Sequence, residues 1–233
     1  MRRIRNTCGV ILVEIFSKVC YTFIVFILSE GCVSMYIIKK TNKEKLAILD
    51  TEWEKANVAQ IDKINWPEDD YCPDTTAKML YNEKGIFVQM ETDEEDLIAR
   101  CRIQNGGVCQ DSCMELFLRA NENDGRYINI EFNAFNTINL GFRYDRPSRV
   151  SPDVKNTYFN PKSHIDENKW ILQYFIPFEF IDGLYGGHTK KMYGNIYKCG
   201  EDTKRPHFVT YAPINTPSPD FHRPEYFQEF ILE

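Results

Sequence analysis

Tyr127-Ile128-Asn129-Ile130-Glu131-Phe132-Asn133 alternates polar and apolar residues without a break, the pattern of a β-strand with one face on a core. Ile128, Ile130 and Phe132 share one face, while Tyr127, Asn129, Glu131 and Asn133 share the other. The same period recurs upstream, where Met114, Leu116 and Leu118 oppose Cys113, Glu115, Phe117 and Arg119, and Ile86, Val88 and Met90 oppose Phe87, Gln89 and Glu91. Further short runs fall at 77–81, 137–143, 170–176, 193–198, 208–211 and 225–232, each bounded by Gly, Pro, Asn or Asp. Asn82-Glu83-Lys84-Gly85 separates two of them by a hairpin-length connection. Helical turns are expected only at 177–184 and, shorter, at 93–97. Many short strands with few helices predict a single all-β domain, a sandwich or a barrel.

Composition agrees. Of 233 residues, 43% are hydrophobic and 27% charged, the balance of a chain that buries a core, and 14% are aromatic, which favours pleated surfaces. The net charge is −6 and no Lys/Arg cluster with interleaved aromatics stands out, so nucleic acid is an unpromising partner. Residues 145–168, with Pro147, Pro152 and Pro161, form the longest irregular connection, and a loop of that length is usually functional or mobile.

Residues 1–34 are a different kind of sequence. Arg2, Arg3 and Arg5 precede an apolar patch at 19–28, about ten residues, which suits a signal-peptide core and falls short of the roughly 20 residues of a membrane span. Gly31-Cys32 hints at a lipoprotein signal, but Ser29 and Glu30 argue against it. Alternatively translation starts at Met35, and Tyr36-Ile37-Ile38-Lys39-Lys40 is the first strand. The first reading places the protein outside the cell or anchored to a membrane, the second in the cytoplasm. Both leave 35–233 as the folded domain. Its five cysteines are not the even set of a disulfide framework, which fits a reducing compartment slightly better. Cys109 and Cys113 would sit about 13 Å apart if both were extended, so they could bridge only if the chain turned at Gln110. No second Cys/His pair completes a zinc site.

The polar faces of these strands would together present amides, carboxylates and rings. Alternation alone favours a plain solvated face. The chemistry also suits a sugar, whose hydroxyls need fixed planar partners and whose C–H face packs on rings.

Several segments in order carry a resemblance: Trp53-Glu54-Lys55-Ala56, Cys101-Arg102, Asp111-Ser112-Cys113-Met114-Glu115-Leu116-Phe117, the 127–133 strand, Gly194-Asn195-Ile196-Tyr197-Lys198-Cys199, and Pro219-Asp220-Phe221-His222-Arg223-Pro224-Glu225-Tyr226-Phe227. Together they resemble the family 9 carbohydrate-binding-module-like domains over about residues 36–233. The resemblance implies an immunoglobulin-like or jelly-roll β-sandwich that binds carbohydrate without catalysis. It also implies xylan- or cellulose-type ligands held at reducing ends, and a glycoside hydrolase as partner. Characterised relatives grip sugar between two tryptophans. Here Trp53 and Trp170 read as core, leaving Trp66, beside Pro67 in an acidic loop, as the exposed stacking candidate, with Tyr144, Tyr197 and Phe221 as substitutes. The matching segments supply Arg102, Glu131, Asn133, Asn195, Lys198 and His222 as polar candidates, while Asp111 is expected to orient a loop. Some relatives hold calcium, and Glu68, Asp69, Asp70 and 93–96 are acidic, yet no EF-hand spacing occurs.

Two other functions compete. Glu115 and Glu131 on adjacent strands could meet the carboxylate spacing of a glycoside hydrolase, although nothing in the sequence marks either as an acid in an apolar pocket. No G-x-S-x-G nucleophile motif is present. Haem would need Met90 or Met114 with His164 or His207, but both methionines fall on the core face.

Overall fold

The computed structural model describes residues 35–66, 70–167 and 169–233; the signal-like segment with its three cysteines, and Glu68 and Asp69 of the acidic run, lie outside them. Among the described residues the strands run β1 (Tyr36–Lys40), β2 (Val58–Gln60), β3 (Lys63–Ile64), β4 (Thr75–Asn82), β5 (Gly85–Thr92), β6 (Cys113–Arg119), β7 (Tyr127–Asn133), β8 (Ile138–Arg143), β9 (Lys162–Ile165) and β10 (Trp170–Pro177). The helix α1 (Phe178–Tyr185) follows, and β11 (Lys191–Gly200), β12 (His207–Thr210) and β13 (Gln228–Leu232) complete the chain.

The strands form two layers of a β-sandwich. One is β8-β7-β6-β11-β13, with β12 and then β3 branching from β11; the other is β4-β5-β10-β9, with β2 on β4. β1 belongs to both. Its residues Tyr36 to Ile38 pair in parallel with β13, and Lys39 and Lys40 pair in parallel with β4.

Period-2 alternation decides what fills the space between the layers. Ile128, Ile130 and Phe132 of β7, Met114, Leu116 and Leu118 of β6, and Ile86, Val88 and Met90 of β5 all enter one buried cluster, together with Trp170, Leu172 and Tyr174 of β10. The opposite faces are also covered. Trp53, with Leu46, Leu80 and Phe87, caps the outside of the β4-β5 layer. Outside the β6-β7-β11 layer, Trp66, Ile214, Phe221 and Phe227 pack over Phe117, Tyr127 and Tyr197, so all seven residues of β7 are buried.

Several expectations need correction. Residues 93–97 form no helical turn, because Glu94 is drawn inward to Lys198. β2, β3 and β9 were not anticipated, and β9 lies inside the 145–168 connection. The chain does turn before β6, through a 3-10 turn at Val108–Gln110, so Cys109 and Cys113 are not on one extended run. The 225–232 run splits into a 3-10 turn, Pro224–Tyr226, and β13. The helix expected at 177–184 forms one residue later; it buries Phe178, Phe180 and Ile181 and ends at Gly186, whose φ of 73° a side chain rarely adopts.

Candidate functional site

Strand register brings two carboxylates together on the outer face of the first layer. Glu115 of β6 lies directly opposite Glu131 of β7, and Glu131 lies opposite Asn139 of β8. Directly paired residues have Cβ atoms about 5 Å apart. Above them a cleft of about 220 Å³ opens. Arg143, at the end of β8, and Arg146 and Arg149, in the loop beyond, form one wall; Asp220, Phe221 and His222 form the other, and Phe208 of β12 stands at the rim.

The floor is hydrogen-bonded. Asn129 Nδ2 donates to Glu131 Oε1 at 2.8 Å and Asn139 Nδ2 donates to Oε2 at 2.7 Å. Burial raises the Glu131 pKa, while Asn139 and Arg143 act against the rise. Burial, reinforced by the nearby Glu131, pushes Glu115 well above the usual carboxylate range. Burial thus opposes placing two full charges on this pair. Nδ1 of His222 shares a hydrogen bond of 2.8 Å with the Tyr127 hydroxyl; burial and the arginines of the wall lower this imidazole to about 3. Burial acts against ionisation of Asp220, yet Arg146, with Nε 3.1 Å away, and the His222 N–H keep it below the usual range.

A second polar cluster adjoins the floor. The sulfurs of Cys113 and Cys199 and a carboxylate oxygen of Glu115 lie within 4.8 Å of one another, and Cys199 donates to Glu115 Oε1 at 3.0 Å. Two thiols and one carboxylate suit a thiophilic ion such as zinc, not the calcium considered from the acidic runs. Within the 93–96 run, Glu94 pairs with Lys198, Glu95 with Arg205 and Asp96 with Lys204.

The profile of carbohydrate-binding family 9 matches residues 44–232. The chain belongs to this family. Solved structures of similar fold include a candidate carbohydrate-binding protein from Bacteroides uniformis, 22% identical, with a TM-score of 0.67 over 85% of this chain and 99% of that one. A family 9 module from Caldicellulosiruptor kristjanssonii, 11% identical, superposes with TM-scores of 0.60 in complex with cellotriose and 0.61 in complex with glucose. These two alignments cover 86% of this chain, and 94% and 96% of the respective modules. No curated protein matches the chain.

Within this family 9 domain the sequence-predicted site divides. Glu131 and His222 reach the cleft, as does the substitute ring Phe221. Trp66 does not stand exposed. It is 3% accessible, packs edge-on to Phe208 at 6.2 Å and donates Nε1 to the Thr216 carbonyl, because the 213–227 loop folds over it. Trp53 and Trp170 are buried as expected, so no tryptophan is left to grip a ligand. Tyr197 is fully buried, stacked on Phe221 at 4.2 Å, and donates to the Phe221 carbonyl. Asn195 bonds the backbone of Ala212 and Ile196, and Asn133 ties Cys101, Asp111, Phe135 and Thr137 together. Their amides are spent inside the fold. Asp111 orients the 100–101 loop, accepting from the N–H groups of Arg100 and Cys101. Lys198 points to the interlayer face, not to the cleft, and Nζ meets Glu94 at 2.7 Å and His207 at 2.9 Å. Arg102 and Tyr144 are exposed outside the cleft lining, with Arg102 over the Phe135 ring. The haem candidates do not converge: Met90 and Met114 are core, His207 is held by Lys198 and Arg205, and His164 is an exposed residue of β9.

Sequence reasoning passed over Arg143, Asn139, Arg146, Arg149 and Phe208. The first two could have been found by extending the alternation to 137–143, which places Asn139, Gly141 and Arg143 on one face. The loop arginines and Phe208 carry no local signal, since only tertiary packing brings them to the cleft.

Proposed function

We propose that the cleft over Glu115 and Glu131 is where this carbohydrate-binding domain takes its ligand, a short oligosaccharide or the end of a plant polysaccharide of xylan or cellulose type. The observation that carries the reading is the convergence of fixed planar partners, the Glu131 carboxylate, the Asn139 amide and the arginine wall, with the Phe208 and Phe221 rings on one rigid sheet face. Such a set can bond sugar hydroxyls while rings cover the C–H face. The volume of about 220 Å³ is below the roughly 300–1,000 Å³ of drug-sized pockets, which favours a chain end over a long polymer. Without a tryptophan pair, affinity rests on the polar set. We assign the working domain to residues 35–233, with a glycoside hydrolase as its natural partner; protein expressed from Met35 should fold and bind.

Calorimetric titration with xylo- and cello-oligosaccharides, native and reduced to alditols, tests the site. Binding lost on Glu131→Gln and weakened by reduction of the end sugar supports it. Absence of binding at millimolar sugar overturns it.

One observation favours a second reading. Two carboxylates paired across adjacent strands, both held in surroundings that oppose their ionisation, are the kind of acid and partner a glycosidase needs. Release of reducing sugar by the purified protein, abolished by Glu115→Gln, would establish hydrolysis.

A further inference from the structure

Arg143 is 5% exposed, and its Nε is buried without a hydrogen-bond partner among the described residues; nor does its guanidinium form an ion pair there. A cation removed from water without a counter-charge is costly, so such a group points to an anion that is bound in use. Its surroundings fix where that anion would sit. A Cβ placed on Gly141 would lie 2.7 Å from Nη2 of Arg143 and 2.4 Å from Oδ1 of Asn129, so the guanidinium lies in the space that the glycine leaves, in the arginine wall of the cleft.

Two more arginines stand close by, all within 143–149 of a chain whose net charge is −6. Nη2 of Arg149 donates to Asn139 Oδ1 at 2.5 Å and to the Leu140 carbonyl at 3.1 Å, which holds the side chain against the wall, and its Nε is likewise unpartnered. Arg146 is tied to Asp220 at the lip. The carboxylates of the floor do not neutralise Arg143 by contact. Both oxygens of Glu131 already accept from Asn129 and Asn139, and Glu115 accepts from Cys199. Burial acts against ionisation of both acids, and Asp220, the carboxylate held below its usual range, is engaged by Arg146 and Arg223 and makes no ion pair with Arg143 among the described residues.

We propose that the cleft is built for an acidic sugar, a uronic acid or an oligosaccharide bearing one, whose carboxylate lies against Arg143 and within reach of Arg149. This rests on the cleft being the carbohydrate site. A guanidinium fork takes a carboxylate through two parallel hydrogen bonds, whereas a neutral sugar leaves the buried charge unpaired. The remaining hydroxyls face Glu131, Asn139 and His222.

The test is titration of the unmodified protein with glucose, with glucuronate, with the methyl ester of glucuronate, and with acetate. It is repeated with xylo-oligosaccharides lacking or carrying a glucuronic acid branch. At least tenfold tighter binding of the acid than of glucose and of the ester, with acetate much weaker than glucuronate, supports the proposal; Arg143→Gln should then bring acid and neutral sugar to the same affinity. The ester comparison needs no variant, so a misfolded Arg143→Gln protein leaves the test intact. Equal affinity for acid and neutral sugars overturns the acidic preference and leaves the carbohydrate site standing. Acetate binding as tightly as glucuronate reduces the site to a bare anion pocket and overturns the proposal. Failure of every sugar overturns both readings together.

Discussion

Lys198 and Glu94 meet at 2.7 Å with side chains 0% and 1% exposed, and they sit between the layers, away from the cleft. The contact is a charge pair without hydrogen-bond alignment at Glu94 Oε2, while the other oxygen accepts from Ser112. Removing one partner strands the other charge. Lys198→Met should therefore lower stability by about 3–5 kcal/mol in urea unfolding, and the folded fraction should bind sugar with unchanged affinity. A specific loss of affinity at unchanged stability would instead return Lys198 to the binding site. The buried imidazoles set an acid limit. His207 is lowered to about 3 by burial and by Lys198, and His222 to about 3 by burial and the wall arginines. Both are neutral in the fold and titrate near 6.5 when unfolded, so the stability they confer is complete above pH 6.5 and is lost as pH falls towards 3. Glu115, whose pKa is raised, acts with the opposite sign. His222→Gln should flatten the fall in urea midpoint between pH 6.5 and 4, and the His222 ring resonance of the wild type should stay at its neutral position down to about pH 4.

At the scale of the element, β8 shows what local pattern can and cannot reveal. Its alternation places Asn139, Gly141 and Arg143 on the cleft face, and this was readable from residues two apart. The strands β5, β6 and β7 were readable for the same reason, because their core faces repeat with period two. What alternation leaves open is whether the polar face meets water or protein. Asn133, Asn195 and Tyr197 have polar groups and sit in matching segments, yet loops distant in sequence consume their hydrogen bonds. Gly141→Ala probes β8 directly. The new methyl would meet Asn129 Oδ1 at 2.4 Å and Arg143 Nη2 at 2.7 Å, so the guanidinium must shift. The strand should still pair, with about 1–3 kcal/mol of overpacking cost, while affinity for acidic sugar falls about tenfold, as measured by calorimetry.

For the molecule as a whole, the fold class was legible because many independent strands voted for it. The topology was not, because parallel pairing of β1 with β13 and with β4 leaves no mark in either strand alone. That arrangement makes the C-terminal strand a structural keystone: β13 stands between β11 of one layer and β1, and the Tyr81 hydroxyl donates to the Glu233 carbonyl. Deleting 228–233 exposes two strand edges and uncovers Tyr36 and Met192, which pack around Phe230. The truncated protein should lose its single cooperative thermal transition and bind hydrophobic dye, whereas the full domain should unfold in one step.

The pairing of Tyr36 with Phe230 also sets an order of events during synthesis. β1 emerges early, but the partner that completes its layer follows about 190 residues later, on the order of 10–40 s of translation. Through that interval a nascent chain carries an unpaired, apolar strand edge beside a growing hydrophobic face. Ribosome-associated chaperones, or stalling-free translation of the final segment, therefore matter more to the yield of this domain than its modest size suggests.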